Sequence, residues 1–398
     1  MKRGAVAALL LVCCLAGCES KKETVASVES AVIYTRGQAF TKEGLTFLQD
    51  AIIQYTDFAT GETMPLCSRL NCPHRTLTAE EKENGAEPCM AYVEDAYQAI
   101  LYREKLYVFA MENNGICIYV SDADGTNRKL LAELSNVLYT GGFATEFYGS
   151  RLVMMTKKNE ISTQEGGGID IEAHARLYGI DCETGKVSAC TKEWSGNAAI
   201  HCIDEDSVYV YHTYIDDAVY ERYTAEELNN NPLLLKDYNR GELWKCSLKD
   251  GTASELWQGK FGAHRTLLAV NKGGAVISIS EEDGAEETVY LSFSTGEETT
   301  MLSDSSRVLS MDEDGVLLTM TENQEDTTIG VLYRFNYKDG TLEKVETDAS
   351  LLPVRMLGGN LYCMKEDGKT RVMSLEDVLS GGSKELYTLE RVIYQPME

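Results

Sequence analysis

The sequence predicts an all-β protein, a β-propeller of about seven four-stranded blades, with six or eight blades also compatible. Three observations indicate this fold. One hairpin pattern recurs along the chain, a second extended run precedes each hairpin, and glycine punctuates the chain far more often than proline, with 33 residues against 6. Such strands cannot bury their faces alone, whereas radial stacking lets each blade cover the next.

The recurring hairpin has an aromatic residue, a Thr-Gly or Asp-Gly turn six or seven positions later, and a polar return strand. Glycine suits the turn because it adopts positive φ angles at little steric cost. Six segments carry the pattern: residues 55–61, 119–125, 178–185, 244–251, 290–296 and 333–340. A seventh, residues 372–383, has a longer turn at Gly381 and Gly382. We therefore expect one outer hairpin in each blade.

The amino-terminal segment is typical of an export signal. Lys2 and Arg3 precede an apolar run over residues 5–15, shorter than the roughly 20 residues that a membrane-spanning helix needs. The run ends in Leu15-Ala16-Gly17-Cys18, which resembles the lipobox of bacterial lipoproteins. This resemblance implies cleavage after residue 17 and a diacylglycerol on Cys18.

The expected organisation is therefore a signal peptide over residues 1–17, a lipidated tether over 18–28 and a propeller domain over 29–398. Two acyl chains are enough for stable membrane anchoring. We expect a lipid-anchored protein on the extracytoplasmic face of the cell membrane. The alternative is an ordinary secretory signal with a chance cysteine.

The charge of the chain excludes one class of partner. The net charge is −26, and removal of Lys2 and Arg3 with the signal makes it more negative still. Such a field repels nucleic acid and anionic lipid headgroups, so we expect no DNA or RNA partner. The acidity otherwise indicates either solubility or attraction of a cationic ligand.

Three long segments interrupt the regular blade pattern, at residues 67–98, 157–173 and 214–240. The tight Thr-Gly and Asp-Gly turns all join the third strand of a blade to the fourth, whereas the long segments fall on connections that emerge from the other face. Insertions on one face of a repeat protein commonly form its binding surface. Neutral loop growth is the alternative.

The third insertion contains Thr224-Ala225-Glu226-Glu227, which matches the capping box and predicts a short helix over residues 224–229. Four tyrosines surround this helix and are candidate binding residues for a sugar or a peptide: Tyr214, Tyr220, Tyr223 and Tyr238. Tyrosines offer large contact area at low entropic cost. The same side chains would also serve to hold the insertion in place.

Cys67, Cys72, His74 and Cys89 form the one constellation with metal-like spacing. Three thiolates and an imidazole suit tetrahedral Zn²⁺, so we expect a structural zinc site. A disulfide such as Cys67 to Cys89 and free thiols in an anaerobe are the alternatives. In each case the expected role is to brace a loop. Six further cysteines are expected to be small core residues: Cys117, Cys182, Cys190, Cys202, Cys246 and Cys363.

The hairpins resemble those of TolB-like and quinoprotein-like propellers, the latter including a lipoprotein scaffold of outer-membrane assembly. The tryptophan that often follows the turn glycine in quinoprotein-like blades is missing, which argues against a quinone cofactor. The stretch from Leu66-Cys67 to Cys72-Pro73-His74 is similar to a feature of uncharacterised lipoproteins from anaerobic gut bacteria. These resemblances imply fold and localisation, and they imply no ligand.

The sequence contains no G-x-S-x-G serine motif, Walker loop or dinucleotide fingerprint, and we assign no catalytic residue. The function predicted is a non-enzymatic binding or scaffold module, with a protein, peptide or carbohydrate partner. The alternative is a carbohydrate-active enzyme, a glycosidase or lyase, with carboxylates lining the propeller channel.

Overall fold

A computed structural model describes residues 33–35, 38–41, 43–112, 114–139, 145–163, 169–204, 206–259, 265–280, 285–304, 306–324, 327–345, 351–365 and 367–389. These residues form seven antiparallel sheets around a ring, each built from one continuous stretch of chain. The predicted seven-bladed propeller is confirmed. Cys18, the signal peptide and the tether lie outside the described residues.

Strands are lettered A to D from the inner to the outer edge of each blade. Blade 1 comprises Gln38–Phe40, Gly44–Gln49, Ile52–Asp57 and Thr63–Pro65, with an extra strand, Ile33–Thr35, beside strand A. Blade 2 comprises Ala96–Tyr102, Lys105–Glu112, Gly115–Asp122 and Lys129–Ser135. In blade 3, strand A has two parts, Leu138–Tyr139 and Thr145–Tyr148, followed by Arg151–Thr163, Ile169–Asp181 and Val187–Ser195.

The remaining four blades follow the same order. Blade 4 comprises Asn197–Asp204, Ser207–Ile215, Asn239–Ser247 and Ala253–Gly259. Blade 5 comprises Arg265–Val270, Gly274–Ser280, Glu286–Ser292 and Glu298–Leu302. Blade 6 comprises Arg307–Met311, Gly315–Gln324, Thr327–Asn336 and Leu342–Val345. Blade 7 comprises Leu352–Leu357, Asn360–Met364, Thr370–Ser374 and Glu385–Leu389.

The turns that join strands C and D have the predicted geometry. Their glycines have φ angles between 67° and 83°, at Gly61, Gly125, Gly185, Gly251, Gly296 and Gly340. At Gly251 a Cβ atom would lie 2.5 Å from the carbonyl oxygen of Ala189 in the preceding blade, so close packing also requires glycine. The turn of blade 7 differs, because it contains a short helix, Leu375–Leu379, that the sequence analysis did not predict.

The hydrophobic core is divided among the blade interfaces, with one cluster of buried side chains at each of the seven. Packing also closes the ring. Phe40 and Phe58 of blade 1 lie in one cluster with Tyr362 and Val372 of blade 7. Among the described residues, no strand from one end of the chain completes the blade at the other end.

We use the term turn face for the side that carries the A–B and C–D turns, and loop face for the opposite side. On the loop face, residues 157–163 and 169–173 extend strands B and C of blade 3, which remain paired out to Thr163 and Ile169. Strands B and C of blade 6 are extended in the same way, out to Gln324 and Thr327, a feature the sequence analysis missed.

The insertion of blade 4 is helical. It contains the helices Ala218–Arg222 and Ala225–Asn230 and the 3₁₀ helix Pro232–Tyr238. Within the described part of the chain, no helix is long and apolar enough to cross a bilayer.

Candidate metal centre

The cysteine-rich segment leaves the propeller from within strand D of blade 1. Strand D begins regularly, and the N–H of Leu66 still donates to the carbonyl oxygen of Ile53 at 3.0 Å. The next position beside strand C is then taken by Tyr92, which forms an antiparallel bridge with Ile52. The N–H of Ile53 donates to the carbonyl of Ala91 at 2.9 Å. Residues 67–90 are therefore an excursion between two halves of one strand.

The four predicted ligands come together at the neck of this excursion. The donor atoms of Cys67, Cys72, His74 and Cys89 all lie within 4.8 Å of one another. Cys89 Sγ lies 3.7 Å from His74 Nδ1. Cys67 is the first residue of the excursion and Cys89 is next to its last, so the cluster joins the outgoing chain to the returning chain. The predicted convergence in space is confirmed.

The local backbone turns Cys72 and His74 towards the neck. The N–H of Cys72 donates to the carbonyl of Arg69 at 3.3 Å, which closes a turn. Asn71 and His74 have left-handed backbone conformations, with φ angles of 58° and 48°. Asparagine and histidine are among the residues that tolerate this conformation best. The turn therefore brings two ligands close together over a short stretch.

The excursion has several polar ties and few apolar ones. Arg69 bridges the neck, because its guanidinium donates to the carbonyl of Glu87 at 3.1 Å and pairs with the Glu87 carboxylate at 3.1 Å. A short helix, Ala79–Glu83, begins at a capping box formed by Thr78 and Glu81 and contains no buried residue. The hydrogen bonds shape the excursion, but its helix adds no core.

The thiols differ in their ease of ionisation. Burial opposes ionisation of Cys67, yet backbone N–H groups and the thiols of Cys89 and Cys72 together lower its pKa. Burial, followed by hydrogen bonds from Cys72 and Cys67, raises the pKa of Cys89 to about 12. Without a cation, ionisation of Cys67 is therefore favoured and ionisation of Cys89 is opposed. A bound divalent cation would reverse this, because it holds coordinating thiols deprotonated.

Arg128 of blade 2 holds the returning end of the excursion. Its guanidinium donates to the carbonyl of Tyr92 at 3.0 Å and also to the carbonyl of Met90. Burial lowers the pKa of Arg128, and the nearby Cys89 opposes that effect. The positive charge of Arg128 would stabilise a bound metal, because a Zn²⁺ ion with three thiolates and a neutral histidine carries one net negative charge.

The donor set fits a borderline-soft divalent ion. Three sulfurs and one imidazole nitrogen converge, and Cys89 is buried while His74 is exposed. All nine cysteines among the described residues are free thiols in this structure. Of the six cysteines outside the cluster, Cys182 is half-buried and the other five are buried. The cluster is thus the one place in the described part of the chain with a metal-like group.

The four candidate tyrosines of the third insertion do not form a single exposed surface. Tyr223 and Tyr238 contact each other edge to face, with ring centroids 6.3 Å apart. Tyr220 is 59% exposed. Tyr214 instead stacks on His212 at 5.1 Å and accepts a hydrogen bond from Gln258 at 3.2 Å. Two tyrosines therefore hold the insertion together, and Tyr220 remains available for contact.

The third insertion has its own small core. Val219 and Leu228 are buried, and the N–H of Asp216 donates to the carbonyl of Tyr238 at 2.8 Å across the base. Arg240 pairs with Asp216 at 2.9 Å. The capping box at Thr224 is present, and the predicted helix extends over Ala225–Asn230.

The two histidines of blade 4 lie in different surroundings. His201 is half-buried and packs edge to face on Tyr211 at 5.6 Å, and burial lowers its pKa to about 4, which keeps it neutral. His212 is buried and contacts the Glu242 carboxylate through Nδ1 at 3.1 Å and the carbonyl of Ser195 through Nε2 at 2.5 Å. Both ring nitrogens of His212 are therefore occupied.

The inner strands carry one pair of acidic side chains alongside arginines. Within the described A strands, these acids are Glu146 of blade 3 and Asp204 of blade 4. The same strands carry Arg307 and Arg355, and burial, with the like charge on Arg307, lowers the pKa of Arg355 to about 10. Arg355 therefore remains positively charged at neutral pH. Glycoside hydrolysis needs a pair of carboxylates at a defined separation.

Sequence reasoning missed two elements of this centre. The capping box at Thr78 and Glu81 has the same four residues, Thr-Ala-Glu-Glu, as the one identified at Thr224, so the signal was available. Arg128 had no sequence signal, because its role depends on how the first two blades pack.

Comparisons with known proteins support no family assignment. No family model and no curated protein matches the chain. Among solved structures, the propeller domain of the Trilobed protease from Pyrococcus furiosus is similar, with a TM-score of 0.45, 9% identity and coverage of 94% of this chain and 99% of that one. TolB from Acinetobacter baumannii has a TM-score of 0.32 and 12% identity, with 81% and 63% covered.

Dipeptidyl peptidase 4 from Porphyromonas gingivalis has a TM-score of 0.43 and 9% identity, over 92% of this chain. This chain spans only 60% of the length of that peptidase. No residue role is carried over from any of these proteins.

Proposed function

We propose that Cys67, Cys72, His74 and Cys89 bind a structural Zn²⁺ ion in a lipid-anchored, extracytoplasmic propeller that acts as a binding or scaffold protein. The observation that carries the metal site is the approach of four donor atoms to within 4.8 Å of one another at the neck of one excursion. Three thiolates and one imidazole are a known tetrahedral donor set for structural zinc.

The presence of His74 in the cluster favours a metal over a disulfide. A disulfide would use two sulfurs and give His74 no role, yet His74 Nδ1 lies 3.7 Å from Cys89 Sγ. A disulfide would also leave a third thiol in the same small space. Zinc uses all four side chains at bond lengths of about 2.3 Å to sulfur and about 2.1 Å to nitrogen.

The proposed ion has a structural role, because four protein ligands fill its coordination sphere and leave no position for a substrate or an activated water. Its effect is to fix residues 67–90 on the rim of blades 1 and 2. This favours the use of the propeller as a rigid platform.

The proposed contact surface is the loop face, where the helical insertion of blade 4 projects. Tyr220 is exposed there, and exposed tyrosines are common anchors for peptides and carbohydrates. The lipid on Cys18 would hold this surface outside the membrane. The lipobox resemblance supports that anchor, and the partner class proposed is a protein, a peptide or a carbohydrate.

Site-specific photo-crosslinking in the producing bacterium tests the binding role. A benzophenone amino acid at position 220 on the loop face is compared with one at position 295, in the turn of blade 5 on the turn face. We expect one specific adduct from position 220, absent from position 295. Equal labelling from both positions, or none from position 220, would contradict the proposed surface.

A further inference from the structure

A cavity of about 600 Å³ lies between blades 2 and 3 on the turn face. Its walls are the A–B and C–D turns of both blades and the strand ends beside them, and they include Tyr102, Tyr107, Gly149 and Cys182. A volume of several hundred Å³ is in the range of small-molecule sites.

The cavity is positively charged, although the whole chain carries −26. Arg103, Lys105 and Lys129 line it against Asp122 and Glu183, which leaves one positive charge in excess. Lys105 pairs with Asp122 at 2.6 Å, and this bond, with one from Asn127, lowers the pKa of Asp122. The excess positive charge therefore lies on Arg103 and Lys129.

Arg103 and Lys129 are placed to receive an anion. Neither forms an ion pair with any residue that the structure describes. The Arg103 guanidinium lies over the Tyr102 ring, 5.4 Å from its centroid, and the residue has a φ angle of 48° in the tight A–B turn. Stacking and the turn both restrict the guanidinium, which lowers the entropic cost of binding a ligand.

The walls beside these two basic side chains stay neutral. Burial raises the pKa of Cys182 to about 11 and also raises that of Tyr107, so neither group offsets the positive charge at neutral pH.

We propose that this cavity binds a small molecule bearing one carboxylate, which Arg103 and Lys129 hold. A guanidinium matches the planar geometry of a carboxylate. One excess positive charge suits a monoanion better than a dianionic phosphate. An acidic sugar and the carboxyl terminus of a short peptide share this chemistry, and the site goes beyond the proposed role of the loop face.

Calorimetric titration of the mature protein at low salt tests the proposal with two probe pairs. Glucuronate is compared with glucose, and acetyl-alanyl-alanine with its carboxyl-terminal amide. We expect at least one acid to bind and its neutral partner to bind about tenfold more weakly or worse. The acid that binds identifies the source of the carboxylate. Failure of both acids to bind, or equal binding of acid and neutral partner, overturns the proposal.

Two variants place the binding in this cavity. Arg103→Gln should weaken the acid about tenfold, since it removes the charge that binds the carboxylate. Lys129→Gln should also weaken it, because Lys129 is the second cation of the cavity wall that the proposal uses.

Lys249→Gln is the matched control, since Lys249 is an exposed lysine in the C–D turn of blade 4 and does not line this cavity. It should leave the affinity unchanged. Unaltered affinity in both Arg103→Gln and Lys129→Gln, or an equal loss in Lys249→Gln, overturns the site.

Discussion

The excursions of blades 1 and 4 leave the same propeller but are ordered by different means. The helix of residues 67–90 buries no side chain, whereas the insertion of blade 4 buries Val219 and Leu228. The first has four metal-type ligands at its neck, and the second has an ion pair and a backbone hydrogen bond at its base. An excursion with little core of its own needs a local tie, whereas one with even a small core does not.

The largest expected effect comes from removing one ligand of the blade 1 cluster. Cys89→Ser should abolish metal binding and raise amide hydrogen exchange across residues 67–90, while residues 216–238 keep their protection. Structural zinc contributes on the order of 10 kcal/mol to the folding free energy of small zinc-finger domains. We therefore expect the free energy of local opening of residues 67–90 to fall by several kcal/mol. Mass-resolved hydrogen exchange and metal analysis measure both effects.

Cys117→Ser is the control for this prediction, because Cys117 is a buried cysteine of blade 2 outside the cluster. It should retain the metal. Equal protection of residues 67–90 in the Cys89→Ser variant and in the wild type would show that the cluster does not hold these residues in place.

Mild acid should loosen the excursion of blade 1 and leave the insertion of blade 4 ordered. Thiolates and imidazole take up protons as the pH falls, so metal affinity falls with pH and residues 67–90 should loosen below about pH 5. The helix cap contributes a more gradual change, because Arg75 and Thr78 lower the pKa of Glu81 from 4.5 to about 2. The stability from this lowered pKa is complete above the unfolded value and is lost progressively as the pH falls from there to about 2. The cap of blade 4 responds in the same direction, because Thr224 lowers the pKa of Glu227, so the comparison of the two excursions isolates the metal.

A chromogenic chelator and hydrogen exchange at stepwise lower pH measure this release. The insertion of blade 4, which has no metal-type ligand cluster among its described residues, should keep its protection over the same range. Simultaneous loosening of both excursions would mean that acid acts on the propeller itself.

An intermediate effect is expected in blade 4 when its small core is reduced. Leu228→Ala should lower the free energy of local opening of residues 216–238 by about 2 to 4 kcal/mol, because it leaves a cavity under the helices. Metal content and residues 67–90 should not change. Leu233→Ala is the control, since Leu233 is 77% exposed, and its effect should stay within about 0.5 kcal/mol.

The smallest expected effect concerns the capping boxes, which are the same in both excursions. Thr224→Ala should cost about 1 kcal/mol of local stability in blade 4. Thr78→Ala should change the exchange of residues 67–90 much less while metal is bound and by a similar amount after its removal. Equal effects of Thr78→Ala with and without metal would show that the metal does not hold this helix in place.

The blades were predictable from the sequence because each hairpin is a local feature. The turn glycines at positions such as Gly61 and Gly251 need positive φ angles, and that need is visible in the residue type itself. The positions of the outer hairpins, a count of about seven blades and the convergence of the cysteines with His74 followed from this spacing and position.

The interruption of strand D was not predictable in the same way. The bridge between Ile52 and Tyr92 joins residues 40 positions apart, and nothing in the local pattern marks Tyr92 as a continuation of the strand that Leu66 ends. The sequence analysis therefore assigned residues 67–98 to a connection between two blades. Arg128 is a similar case, because its partners are backbone carbonyls that only packing brings near.

The most direct test of the metal tie is elemental analysis beside the mass of alkylated protein, on wild type and His74→Ala purified without oxygen or chelator. The account predicts one zinc ion per chain, all nine thiols at the positions from Cys67 to Cys363 free after metal removal, and loss of zinc with loosening of residues 67–90 in His74→Ala. Metal-free wild type with two fewer thiols, and a His74→Ala variant that behaves as the wild type, would contradict it and establish a disulfide.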